Sequence, residues 1–116
     1  MQLPATFEGL VEKANSIGLY KKLVKQLNKD FKLANIDLDF DEDILPGSLK
    51  FLLQETVYKL IQEKFIDYLN VLYIVDVSED KIRELDDYDT FQLSEEVTFL
   101  ILKREWQKVY FRNKYS

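Results

Sequence analysis

Between Leu49 and Val75 the chain runs without glycine or proline. Read at about 100° per residue, its apolar side chains cover more than half of a helical circumference. Leu49, Leu53, Val57, Leu60, Ile61, Phe65, Tyr68 and Leu72 form the apolar arc, and Glu55, Lys59, Gln62, Glu63 and Asp67 the polar one. Beyond Asp67 even the polar side fills with Tyr73 and Ile74. A helix of this kind must be covered on several sides, by its own chain or by a second copy.

Elsewhere only Gly9, Gly18, Gly47, Pro4 and Pro46 punctuate the sequence, a pattern that suits long helices with few turns. Pro4 fits the first turn of a helix over about residues 4 to 15, and a second amphipathic helix spans about residues 16 to 35. Pro46, Gly47 and Ser48 read as a turn ending in an N-cap before Leu49. Ser78 is placed to cap a short helix, EDKIRELDD, and Ser94 to cap a last helix reaching about Arg112. Two strand readings compete: LYIVDV as a β-branched strand, and VTFLILK with KVYFR as a hairpin. LYIVDV has no obvious partner strand, and the REWQ link lacks turn residues. The expectation is therefore an all-α protein, a single-domain bundle of four or five helices over residues 1–116, around a long central helix.

The chain has no His and no Cys, which excludes Ser-His-Asp and Cys-His catalysis and the usual zinc ligands. Carboxylate-only acid–base chemistry survives that filter but requires a walled cleft with split pKa values. No enzyme activity, cofactor or metal is expected. The start, MQLPATFEGL, lacks the charged and apolar regions of a signal peptide, and FIDYLNVLYIVDV is too short to span a bilayer. With cysteine absent as well, a cytoplasmic location is expected.

The run DLDFDEDIL (residues 37–45) imitates part of a calcium loop, with Asp37, Asp39, Asp41 and Asp43 at alternate positions. The position that needs glycine for its sharp turn is Glu42, however, and the one that needs a bidentate glutamate is Ser48. The run reads better as an extended connector that turns Ile36, Leu38 and Phe40 toward the core.

Charge is unevenly distributed: residues 1–36 carry net +3, residues 37–102 net −12 and residues 103–116 net +4. Lys21, Lys25, Lys29 and Lys32 lie along the second helix, and Arg104, Lys108 and Arg112 along the last; together they form a candidate surface for an anion or a partner. Trp106 and Tyr110 fall on the apolar face, as core rather than as a platform for bases. The functional expectation is a non-enzymatic protein acting through protein–protein contacts, a homodimer included. The alternative is a nucleic-acid-associated accessory protein that uses the two basic stripes.

YIVDVSEDKI, followed by LILKREWQKV, resembles a small uncharacterised family of bacterial helical proteins over residues 70–112. The resemblance implies helices for both segments and no activity. Within it, Asp76, Arg104 and Glu105 stand beside strongly apolar residues, where a buried ion pair or hydrogen bond would lock two helices together.

Overall fold

The structure, a computed structural model, describes residues 3–115, which form six helices and no strand. Thr6 opens α1 (Phe7–Ser16) by accepting from the Gly9 N–H at 3.0 Å. Pro4 stays outside the helix, so close to Gly9 that a Cβ there would sit 3.0 Å from the proline's Cβ. Phe7, Leu10, Val11 and Ala14 then repeat at helical spacing on the buried side. Gly18, at φ 73°, makes the turn into α2 (Tyr20–Leu33). That helix buries Leu23, Val24, Leu27 and Phe31 and ends before Asn35, which takes the left-handed conformation at φ 63°.

The stretch expected as one helix from Leu49 is two. α3 (Pro46–Glu63) begins at Pro46 itself, where a missing N–H costs nothing, so Ser48 is not its cap. Lys64 leaves the helical region at φ −141° and ψ 63°, and α4 (Phe65–Val75) follows at once. The physical reason lies in the over-wide apolar arc. A single straight rod would expose one side of it, whereas two rods bury Leu49, Leu53, Val57 and Leu60 in one direction and Tyr68, Val71, Leu72 and Val75 in another. Residues 71–75 are thus helical, which removes the strand reading of LYIVDV.

Asp76 closes α4 in the left-handed conformation at φ 71°, with the Val77 N–H reaching back to the Leu72 carbonyl at 3.0 Å. A short α5 (Glu79–Arg83) leads to α6 (Thr90–Tyr115), which starts earlier than Ser94. Asp89 takes the capping part, accepting from the Gln92 N–H at 2.8 Å. Ser94 is instead fully buried, its hydroxyl donating to the Phe91 carbonyl. The hairpin reading also disappears, since VTFLILK and KVYFR both lie within α6.

α6 is the long central helix, the place expected for the segment from Leu49 to Val75. It packs against α1, α2, α3 and α4. Val97, Ile101, Leu102, Trp106 and Val109 are buried along it. A radius of gyration of 13.4 Å is that of one domain of this length.

Candidate functional site

α4 carries more apolar surface than its neighbours cover. Tyr68, Val71, Leu72 and Val75 face inward, while Phe65, Ile66, Leu69 and Tyr73 stand 53%, 69%, 44% and 85% exposed. Phe65, Leu69 and Tyr73 follow i, i+4, i+8 spacing and so form one stripe along the helix. Its C-terminal half opens into a groove of about 1170 Å³ against α5, walled by Leu69, Tyr73, Ile74, Val77 and Ile82. The groove's charged lining is Asp76, Glu79 and Arg83, and the segment that supplies them, residues 76–89, holds seven carboxylates against Lys81 and Arg83. Arg83 bonds to Glu79 and Asp80, and Arg104 to Asp76, so the segment's excess negative charge belongs to the residues from Glu84 to Asp89 that follow α5. No helix among the described residues is long and apolar enough to cross a membrane.

The seven cations singled out from the sequence do not gather in one patch. Lys21 and Lys25 turn toward the acid run, meeting Asp43 at 3.3 Å and Glu42 at 3.4 Å. Lys32 borders a hollow of about 470 Å³ with Asp37 and Asp39, and Lys29 stands between that hollow and a groove that α2 forms with α6. Arg104 holds the end of α4, its Nε donating to the Asp76 carbonyl and its Nη2 to the Asp76 carboxylate, both at 3.2 Å. Of the three residues expected to supply a buried lock, Asp76, Arg104 and Glu105, the first two do pair, but at the surface, with the side chains 77% and 34% exposed.

Lys108 departs furthest from the expected stripe, because it points inward. Its side chain is 17% exposed, and its ammonium donates to Asp30 Oδ2 at 2.6 Å and to the Ile74 carbonyl at 3.2 Å. It lies 3.4 Å from Glu105 Oε1. Asp30 also accepts from Gln26 Nε2 at 3.1 Å, and Gln26 Oε1 accepts from Arg112 at 2.9 Å. A continuous polar seam, Arg112–Gln26–Asp30–Lys108–Glu105, therefore ties α2 to α6 and reaches the end of α4. Lys108 is a structural cation rather than part of an anion-binding face.

Glu105 is fully buried, and neither of its oxygens has a hydrogen bond of ordinary geometry among the described residues. Burial first, and the adjoining Asp30 carboxylate second, push its pKa up to about 9, so it is neutral at pH 7. A neutral carboxyl adds no second negative charge beside a carboxylate, which accounts for two acids sharing one buried site. Burial also acts to raise Asp30, but the neighbouring Glu105 carboxyl and the hydrogen bonds from Lys108 and Gln26 outweigh it and hold Asp30 below its usual value. Carboxylates with opposed shifts are what acid–base catalysis requires. These two are packed between helices, and the adjoining surface groove is lined by Gln26, Val109 and Arg112 rather than by either acid.

Sequence reasoning missed Asp30 and Gln26, yet a signal was present. Asp30 is three residues from Leu27 and seven from Leu23, which places it on the apolar face of α2.

The acid run is a connector. Asn28 clamps Phe40 with two 2.9 Å bonds, one to its N–H and one to its carbonyl, and the Tyr20 hydroxyl donates to the Ile44 carbonyl at 2.6 Å. Leu38 is buried, and Ile36, Phe40 and Ile44 pack against the core. No three acidic side chains converge as a metal site among the described residues.

Fold and surface together define a single-domain α-helical protein with one polar inter-helix seam and an uncovered apolar helix face. Compared with models of known families, with curated proteins and with solved structures, the chain matches none.

Proposed function

We propose that this chain is a non-enzymatic, cytoplasmic docking protein whose α4–α5 groove receives an amphipathic helix of a partner protein. The observation that carries the reading is the exposed stripe of Phe65, Leu69 and Tyr73 leading into an apolar groove, with an acid-rich segment following it in the chain. Apolar anchors at i, i+4 and i+8 are the contacts a helix makes when it lies along another. A contiguous exposed apolar patch costs solubility, which makes it a mark of interaction rather than of folding. The surplus of carboxylates between residues 76 and 89 selects a partner helix with basic flanks, since electrostatic complementarity steers encounter and rejects acidic competitors.

The test uses two designed amphipathic peptides of equal length, one built from leucine and lysine and the other from leucine and glutamate, titrated into the isotope-labelled protein. The expected result is amide shifts confined to α4 and α5 with the lysine peptide only, abolished by Leu69→Lys. Equal binding of both peptides, or shifts on another face, would refute the proposal. Sedimentation at rising protein concentration adds the remaining outcome: a dimer lost in Leu69→Lys would mean that a second copy, not a foreign helix, covers α4.

A further inference from the structure

α2 and the C-terminal part of α6 enclose a second, chemically different groove of about 430 Å³, lined by Lys22, Lys25, Gln26, Lys29, Val109 and Arg112. Its wall holds four cations and no carboxylate, although Lys25 is already paired with Glu42. Lys22 and Lys29 form no ion pair among the described residues. Lys22 bonds weakly to neutral Asn113 at 3.4 Å. Arg112 is set in place from behind by Gln26, which is 5% exposed and anchored in turn to Asp30. The first turn of α2 contains no acid to offset Lys21 and Lys22. Collecting like charges around a concavity works against stability, and an anion bound there would relieve it.

We propose that this groove binds a compact ligand carrying two or three linked phosphates. Its volume falls in the range of small-ligand sites. The planar Arg112 head, held by the buried glutamine, is suited to a bidentate grip on one phosphate, while Lys22 and Lys29, which carry no ion pair among the described residues, neutralise the next as point charges. An extended nucleic-acid strand fits less well. The acid run lies directly alongside, with Asp43 and Glu42 against Lys21 and Lys25, and would repel phosphates leaving the groove.

The experiment is calorimetric titration of the intact protein with pyrophosphate, ATP, inorganic phosphate and an oligothymidylate at physiological ionic strength, repeated on Lys22→Gln and Lys29→Gln. Binding of pyrophosphate or ATP, weakened at least about tenfold in each variant, is expected, because each lost contact is a charge-assisted one. Pyrophosphate alone would indicate a free polyphosphate, and tighter ATP binding a nucleotide; either supports the site. Both lysines are exposed, so the variants should fold, and relief of repulsion should leave their ligand-free melting temperatures equal to or above that of the parent. Absence of binding, equal affinity for inorganic phosphate, unchanged affinity in both variants, or tighter binding of the oligothymidylate would each overturn the proposal.

Discussion

Lys108 on α6 donates to Asp30 on α2 across 2.6 Å, although 78 residues separate them in the chain. The pair sits at the centre of the polar seam, and both side chains are largely withdrawn from water. Removing one member of such a pair leaves the other charge buried and unpaired. Lys108→Met should therefore destabilise the protein by about 3 kcal/mol, measured by urea denaturation. Asp30→Asn combined with Lys108→Met should recover part of that loss, and a double variant as unstable as the sum of the two singles would count against a direct pair.

Glu105 predicts a pH dependence of definite sign. Its folded pKa of about 9 lies above its ordinary 4.5, so the stability it contributes is fully present below pH 4.5 and is lost as pH rises toward 9. Asp30, held below its ordinary 3.8, acts in the opposite sense: its contribution is present above that value and is lost in stronger acid. Between pH 5 and pH 9 the parent should therefore lose stability, while Glu105→Gln, which cannot ionise, should lose distinctly less. Urea midpoints that fall in parallel for the two proteins would remove Glu105 as the cause.

Arg104 has a separate mechanical task, holding the left-handed Asp76 that ends α4. As an exposed ion pair the contact is worth little, but the added bond to the backbone carbonyl raises the expected cost of Arg104→Ala to about 1 kcal/mol, a fall of several degrees in Tm. Asp76→Asn should be milder than Asp76→Ala, because asparagine tolerates the left-handed region and alanine does not. An unchanged melting temperature in Arg104→Ala would show that the cap stands unaided.

Asn28 should control the connector rather than the bundle. Asn28→Ala removes both bonds to Phe40 and leaves its backbone groups to water, at a cost of about 1–2 kcal/mol. Amide exchange should accelerate around Phe40 while remaining slow at Leu102 in the core. Equal acceleration at both positions would mean that the connector and core open together.

The helical class was legible because it depends on local information. Three glycines and two prolines in 116 residues leave few places to turn, and the apolar spacing in α1, α2 and the C-terminal part of α6 identifies their buried faces directly. The helix ends were less legible. Pro46 began a helix one turn earlier than the Ser48 cap would have, and Lys64 interrupts the chain with no glycine or proline to announce it. That interruption is a tertiary decision, since only the positions of α2 and α6 give the second half of the segment a surface on which to fold back.

The basic residues show the same division. Their presence and helical spacing belong to the sequence, as does the surplus of acid between residues 37 and 102. Which cations remain available was decided in three dimensions, because a lysine becomes structural only when folding brings a carboxylate to it. Asp30 claims Lys108, Asp76 claims Arg104, and the acid run claims Lys21 and Lys25, whereas Lys22 and Lys29 are left facing a groove. The sequence by itself determined a helical domain with its charges sorted into blocks. The tertiary structure decided which charges cancel and which helix face stays open, because burial and pairing are properties of distance in space rather than along the chain.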